Sequence, residues 1–218
     1  MTDTRRYDSP TRAEAASRTR RAVVEAAAEL FETNGFAGTT MRSIAERAQV
    51  SVETVNALGP KHDLLRAAFE RRFLGGSLPG GESAIALDAI DADSVRTVLG
   101  PLIQQFNRSV GMHRTLVAAA DADGNARNLV NELRATQRRQ IFDLLDAHTG
   151  ARRAERRRAA DALSFVLSHH AYDHFVVGCR WTEVQYEDWA ARAVLEEMRR
   201  LHPCRANGFH PGRGCMMG

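Results

Sequence analysis

Lysine is nearly missing from this chain: Lys61 is the one lysine among 30 basic residues in 218, a bias that reflects codon usage more than chemistry. Cysteine is scarce as well. Cys179, Cys204 and Cys215 are odd in number and unevenly spaced, so no disulfide framework is built in and reduced thiols are the expectation. No run approaches 18 consecutive apolar residues, and the opening MTDTRRYDSP has no apolar signal core; a cytoplasmic protein that neither spans nor touches a membrane is expected. Nor is there a P-loop, a G-x-G-x-x-G, a G-x-S-x-G or a Glu-x-x-His pair, which argues against nucleotide, hydrolase and ferritin-like di-iron chemistry. No enzyme activity and no cofactor is expected. Net charge is only +3, which is no nucleic-acid footprint by itself.

What is present is helical. Apolar residues make up 44% of the chain, alternating strand patterns are missing and no internal repeat is visible, so an all-α protein of about nine helices is expected. Its densest information lies in TTMRSIAERAQVSVETVNALGPK, Thr39 to Lys61. Thr39 and Thr40 can cap a helix with Met41, Ile44, Ala45 and Ala48 on one face. Ala48-Gln49-Val50 stops it, Ser51 caps a second, and Val52 and Val55 open that second helix of barely two turns. Two short helices around a tight turn are the layout of a helix-turn-helix, whose second helix is small enough for a major groove. The residues expected at DNA are Thr40, Arg42, Ser51, Val52, Glu53, Thr54, Asn56 and Lys61, the last because a lysine at a helix start can join backbone amides around a phosphate. An ordinary helical hairpin is the alternative.

The flanks fit. Arg20 to Gly35 sets Val23, Val24, Ala27, Leu30 and Phe31 on one face and stops at Asn34-Gly35, while Pro60-Lys61 opens a helix carrying Leu64, Leu65, Ala68 and Phe69. Ahead of them, residues 1–21 hold six arginines against Asp3, Asp8 and Glu14. Residues 1–19 read as a flexible basic arm able to follow a DNA backbone, or as a solvated tail.

From these residues the chain resembles the tetracycline-repressor (TetR) family of bacterial transcription regulators: Arg20, Val23-Val24, Ala26-Ala27, Leu30-Phe31, Gly35-Phe36, Thr39-Thr40, Ile44-Ala45, Ala48, Val50-Ser51, Thr54-Val55, Lys61 and Leu64-Leu65 follow its order through about fifty residues. The resemblance implies a three-helix DNA-binding domain over 20–74 and a helical ligand-binding and dimerisation domain over 75–203. It further implies a homodimeric repressor on a palindromic operator, released by a small apolar effector, with dimerisation through the last two long helices, here about 153–177 and 182–201. Three departures stand out. Gln49 replaces the family's usual Gly at a position that wants a left-handed backbone. Asn56 replaces a phosphate-reaching Tyr. Ala57-Leu58-Gly59-Pro60 replaces an aromatic-rich helix end. A helical interaction or metal-binding protein that no longer reads DNA is the second reading.

In the remaining two thirds, Gly75-Gly76-Ser77-Leu78-Pro79-Gly80-Gly81 reads as a linker, and Gly100-Pro101 as a kink or split in a helix from Asp93. A short apolar helix is expected over His113 to Ala120, a longer one from Asn125, and a last one opened by a Thr182/Gln185 capping box. The helix expected over 153–177 is apolar on two sides, as for a core or pocket on one face and a partner on the other. It carries His169-His170-Ala171-Tyr172-Asp173-His174, where His170 and His174 stand one turn apart as metal ligands can, with His169 and Asp173 a second such pair and His113 a third imidazole. Helical histidines more often line a core or pocket, so no metal is assigned. The expected pocket comprises Phe106, Met112, His113, Leu116, Phe142, Phe165, His169, His170, Asp173 and His174. In 204–218, Cys204, Cys215 and His210, with His202 nearby, lack zinc-knuckle spacing and read as a mobile tail.

Overall fold

A computed structural model describes residues 10–75 and 92–201. The first nine residues, the Gly76–Gly81 part of the linker and the tail with its Cys/His set lie outside the described residues. Among those described there is no strand, and no helix is long and apolar enough to cross a membrane.

Helix α1, Pro10–Gly38, begins well before the expected arm boundary, so residues 10–19 are helical rather than loose. Its regular course ends where expected. Gly35 takes φ 71 and ψ 172, a backbone region that costs glycine little and other residues much. The Thr39 hydroxyl lies 2.8 Å from the Gly35 carbonyl oxygen and 3.1 Å from that of Leu30, satisfying a helix end that would otherwise be buried with open acceptors. Helices α2 (Met41–Ala48), α3 (Val52–Asn56) and α4 (Lys61–Leu74) follow.

Helix α5, Ala92–Ala122, is one continuous helix with Pro101 inside it, where the sequence suggested a kink or split and a separate short helix from His113. Pro101 is exposed, so the missing amide proton leaves a carbonyl facing water rather than stranded in a core. Helix α6, Gly124–His148, is held at its start by the Asp123 carboxylate, which accepts from the Ala126 amide at 2.8 Å.

The chain forms two compact units, one of residues 1–83 with 102–134, the other of 84–101 with 135–218. This differs from the division near residue 75 that the linker suggested. The physical reason is the apolar core of the first unit: Val23, Ala27 and Phe31 of α1, Ile44 of α2, Val55 of α3 and Leu64, Leu65 and Phe69 of α4 are buried together with Met112, Leu116 and Ala119 of α5 and Ala126, Leu129 and Val130 of α6. The short helices need that cover. A buried hydrogen bond from the Thr115 hydroxyl to the Phe31 carbonyl, 3.1 Å, ties α5 to α1.

In the second unit, α7 (Arg153–Val166) and α9 (Glu183–Leu201) enclose Ala159, Ala160, Leu163, Met198 and Leu201 with Leu145 of α6. The Thr182/Gln185 capping box forms as expected, with reciprocal bonds of 2.8 and 3.2 Å. The helix expected over 153–177 is not continuous. It breaks at Leu167 (φ −97, ψ 43), restarts as the one-turn α8 (His169–Tyr172) capped by Ser168, and passes into a π-helical turn, Asp173–Gly178. The break leaves carbonyls that distant side chains take up: the Tyr186 hydroxyl donates to Val166 at 2.7 Å, and the Gln137 amide donates to Leu167.

Candidate nucleic-acid interface

Helix α2 starts on a reciprocal cap. Thr40 Oγ1 accepts from the Ser43 amide at 3.0 Å, and Ser43 Oγ accepts from the Thr40 amide at 3.0 Å. It ends at Gln49 in the left-handed region, φ 55 and ψ 42, the conformation for which glycine is usual. Ser51 then caps α3, its Oγ accepting from the Thr54 amide at 3.2 Å and lying 3.1 Å from Thr54 Oγ1. The turn between the helices is therefore three residues long, Gln49, Val50 and Ser51, with Ile44, Ala45 and Val55 buried beneath.

This geometry sorts the residues expected at DNA. Thr40, Arg42, Ser51, Glu53 and Asn56 are exposed, and Thr54 is half-buried. Val52 packs against the core instead of facing out, as a β-branched apolar side chain at the first turn of so short a helix must if the helix is to be anchored. The hydroxyls of Thr40 and Ser51 are engaged in caps. Among the described residues Arg42 pairs with Glu46 alone, on the same helix at 2.9 Å, the two side chains 82% and 66% exposed, a contact weak enough to exchange for a phosphate. The Glu53 carboxyl is held below the usual carboxylate range by its own backbone amide and by the Ser51 hydroxyl.

Lys61 is used differently from the expectation. Its ammonium donates to the carbonyls of Phe36, 2.8 Å, and Thr39, 3.0 Å, and sits 4.2 Å from the centre of the Phe36 ring. With two of three donors committed, it clasps the start of α4 to the end of α1. Gly59 sits at φ 119, a backbone conformation that glycine adopts freely and other residues only with strain. The segment Ala57 to Pro60 is thereby a tight connector rather than an extension of α3.

The residues expected to line a pocket divide between the units. Phe106, Met112 and Leu116 are buried in the first, where His113 lies 6.4 Å from the Phe69 ring. Phe142, Phe165 and the 169–174 cluster belong to the second. There Phe142 packs beside its small core with Arg156 over its ring, and His169 is buried, His170 and Asp173 are half-buried and His174 is exposed. Phe165 is 58% exposed, a surface position rather than a wall. No group of three metal-ligating side chains gathers among the described residues. The sequence reading missed an aromatic stack beside the π turn: Phe175 lies 4.5 Å from Trp181 and 4.7 Å from Trp189, and Tyr172 meets Tyr186 edge-on at 5.5 Å. Trp181, Tyr186 and Trp189 recurring close behind Phe175 were its only signal.

Residues 23–57, which span this helix-turn-helix, match the family model described as bacterial regulatory proteins, tetR family. The chain carries a TetR-family N-terminal domain. No curated protein sequence matches it. Among solved structures, a transcriptional regulator from Rhodococcus sp. Rha1 is similar with a TM-score of 0.59 and 15% identity, over 84% of this chain and 95% of that one. NalD of Pseudomonas aeruginosa, the secondary repressor of the MexAB-OprM multidrug efflux pump, is similar with a TM-score of 0.55 and 20% identity, over 85% of this chain and 96% of that one. At such identity these likenesses establish that the chain shares the helical fold of those structures beyond the matched segment, and no more.

Proposed function

We propose that this protein is a ligand-responsive TetR-like transcriptional repressor that binds a palindromic operator as a homodimer and is released by a small apolar effector. The observation that carries the DNA part is the exposed edge of the helix-turn-helix, where Arg42, Glu53 and Asn56 face solvent over a capped and buried scaffold. Arg42 offers a guanidinium to a phosphate, while Glu53 and Thr54 are short enough to address base edges in a major groove. Repression is the reading because NalD, of the same fold, is a repressor.

A homodimer follows from the size of the reading head: a five-residue α3 meets few base pairs, and two copies about 34 Å apart would read a half-site each. Exposed Phe165 on α7 and Val184 on α9, 58% and 67% accessible, supply apolar surface for that pairing. The effector would enter the helical part, with the Phe175, Trp181 and Trp189 stack and the histidines of the 169–174 cluster, all in the second unit, as its candidate walls, and act by favouring one spacing of the recognition helices.

The test is fluorescence anisotropy on a duplex covering the gene's own promoter against a random duplex. Arg42→Ala should weaken both alike and flatten the salt dependence by about one unit of slope for each protomer bound. Glu53→Ala or Thr54→Ala should change the ratio between the two. Equal binding of wild type to both duplexes would leave the protein a helical interaction module rather than an operator reader.

A further inference from the structure

We propose that the first three turns of α1 form a second, sequence-independent phosphate-binding element, an arginine arm that adds to the DNA contacts of the helix-turn-helix. The inference rests on the DNA-binding reading above and extends it to a surface that the family match, residues 23–57, does not cover.

Three observations converge. The first is exposure: between Arg12 and Ala22 every side chain is exposed except half-buried Thr19, and the first buried residue of α1 is Val23. About three turns of helix thus run on past the core without packing, and a helix that is polar all round has no apolar face to hold it. The second is charge. Arg12, Arg18, Arg20 and Arg21 stand in this stretch against Glu14 alone. None of the four makes a salt bridge among the described residues. Farther along the same helix the pattern reverses. Glu25 and Glu32 take the Arg72 guanidinium from α4, Arg71 reaches Glu25 at 3.4 Å, and Glu29 takes Arg47 from α2 at 2.5 Å. Where α1 packs, its charges are matched one by one; where it projects, cations are left over.

The third observation is polarity. The first turn of α1 has no acidic residue, and the arm's cations sit toward the positive end of the helix dipole, which favours anions and disfavours further positive charge. Arginine placed there opposes the helix in free protein. A polyanion removes both penalties at once, because phosphates neutralise the guanidiniums and complement the positive end of the helix dipole together. The four arginines point around the helix rather than along one stripe, which suits attraction to a rod of phosphates and not a single docked anion. The root of the arm, Val23, belongs to the same core as Ile44 of α2 and Val55 of α3, so a contact made by the arm is transmitted rigidly to the reading head.

The experiment compares wild type with Arg12→Ala/Arg18→Ala/Arg21→Ala on the promoter duplex and on a random duplex, from 50 to 200 mM salt, with circular dichroism to verify the fold. Three lost phosphate contacts per protomer should lower the slope of log affinity against log salt by about 2.7 units for each protomer bound, so that wild type loses roughly 40-fold more affinity per bound protomer than the variant across that range. The ratio of promoter to random affinity should not change. An unchanged slope on both duplexes overturns the inference, as does an altered promoter-to-random ratio, which would make the arm a reader of sequence. Should wild type show no promoter preference, the operator reading falls, and the slope on the random duplex still decides the arm. Equal binding of wild type and variant to DNA, with only wild type bound by vesicles of anionic phospholipid, would assign the arm to a membrane and overturn it too.

Discussion

Gln49 occupies a backbone region in which its Cβ crowds the following carbonyl. Being exposed, it gains nothing there that glycine would lose. Gln49→Gly should therefore stabilise the protein by about 0.5–1 kcal/mol, net of the greater freedom glycine has when unfolded, visible as a higher urea midpoint with the same m-value. Lys61 works in the other direction. Its two carbonyl acceptors are charge-assisted, so Lys61→Met should cost about 2 kcal/mol through both lost bonds, and Lys61→Arg should recover only part of it because a planar fork does not match two carbonyls that a point-like ammonium bridges. Loss of DNA affinity in Lys61→Met must for that reason be read beside its melting curve. The substitution Asn56→Tyr has a cleaner outcome: an exposed phenol on α3 should tighten promoter binding by roughly 0.5–1.5 kcal/mol per half-site. Unchanged anisotropy titrations would show that the Gly59 connector has turned α3 away from the phosphate.

Among the elements, the break between α7 and α8 rests on two buried tyrosines. Burial, together with the Glu183 carboxylate that its hydroxyl meets at 3.0 Å, pushes the Tyr172 phenol well above its ordinary value, and burial beside Tyr172 does the same for Tyr186. Both phenols stay protonated in the fold at pH values where an unfolded tyrosine, at about 10, ionises. The stability they contribute is thus complete below pH 10 and declines as pH rises past it. Urea midpoints measured from pH 8 to 11 should fall above about pH 10, and Tyr172→Phe should shrink that fall. The same break shows what sequence could not reveal. Caps announced the helix-turn-helix and the start of α9 because Thr40, Ser51 and Thr182 bond to amides within three residues, so the code is local. Leu167-Ser168 carries neither glycine nor proline, and the carbonyls freed at the break, those of Leu167 and Val166, are met from Gln137 and Tyr186, 30 and 20 positions away. A local reading runs straight through such a site, and it placed His170 and His174 on a longer helix than exists. It likewise put Val52 outward, since period alone does not tell which face of a five-residue helix a neighbour will cover.

At the scale of the whole molecule, all-α architecture followed from periodicity, but the extent of the first unit did not. The glycines at 75, 76, 80 and 81 drew a boundary after α4, whereas burial continues that unit through residue 134. A fragment ending at residue 75 would bare core positions otherwise covered by Met112, Leu116, Leu129 and Val130, each worth about 1.5–3 kcal/mol when fully buried. Such a fragment should bind a hydrophobic dye and melt without cooperativity, while the full chain does neither. Exposed Phe165 and Val184 make a second test at this scale: Phe165→Asp/Val184→Asp should sediment as a monomer and lose promoter binding by at least tenfold. The joined core has a further meaning for how proteins of this plan diversify. Thr115 and Leu116 press on the same α1 that carries the reading head, so a head exchanged between two such proteins at the glycine linker arrives facing a surface that was fitted to another. Its inheritance unit is the longer one, and a change at Phe31 or Ala119 in one lineage calls for an answering change across the packing seam before the exchange can succeed.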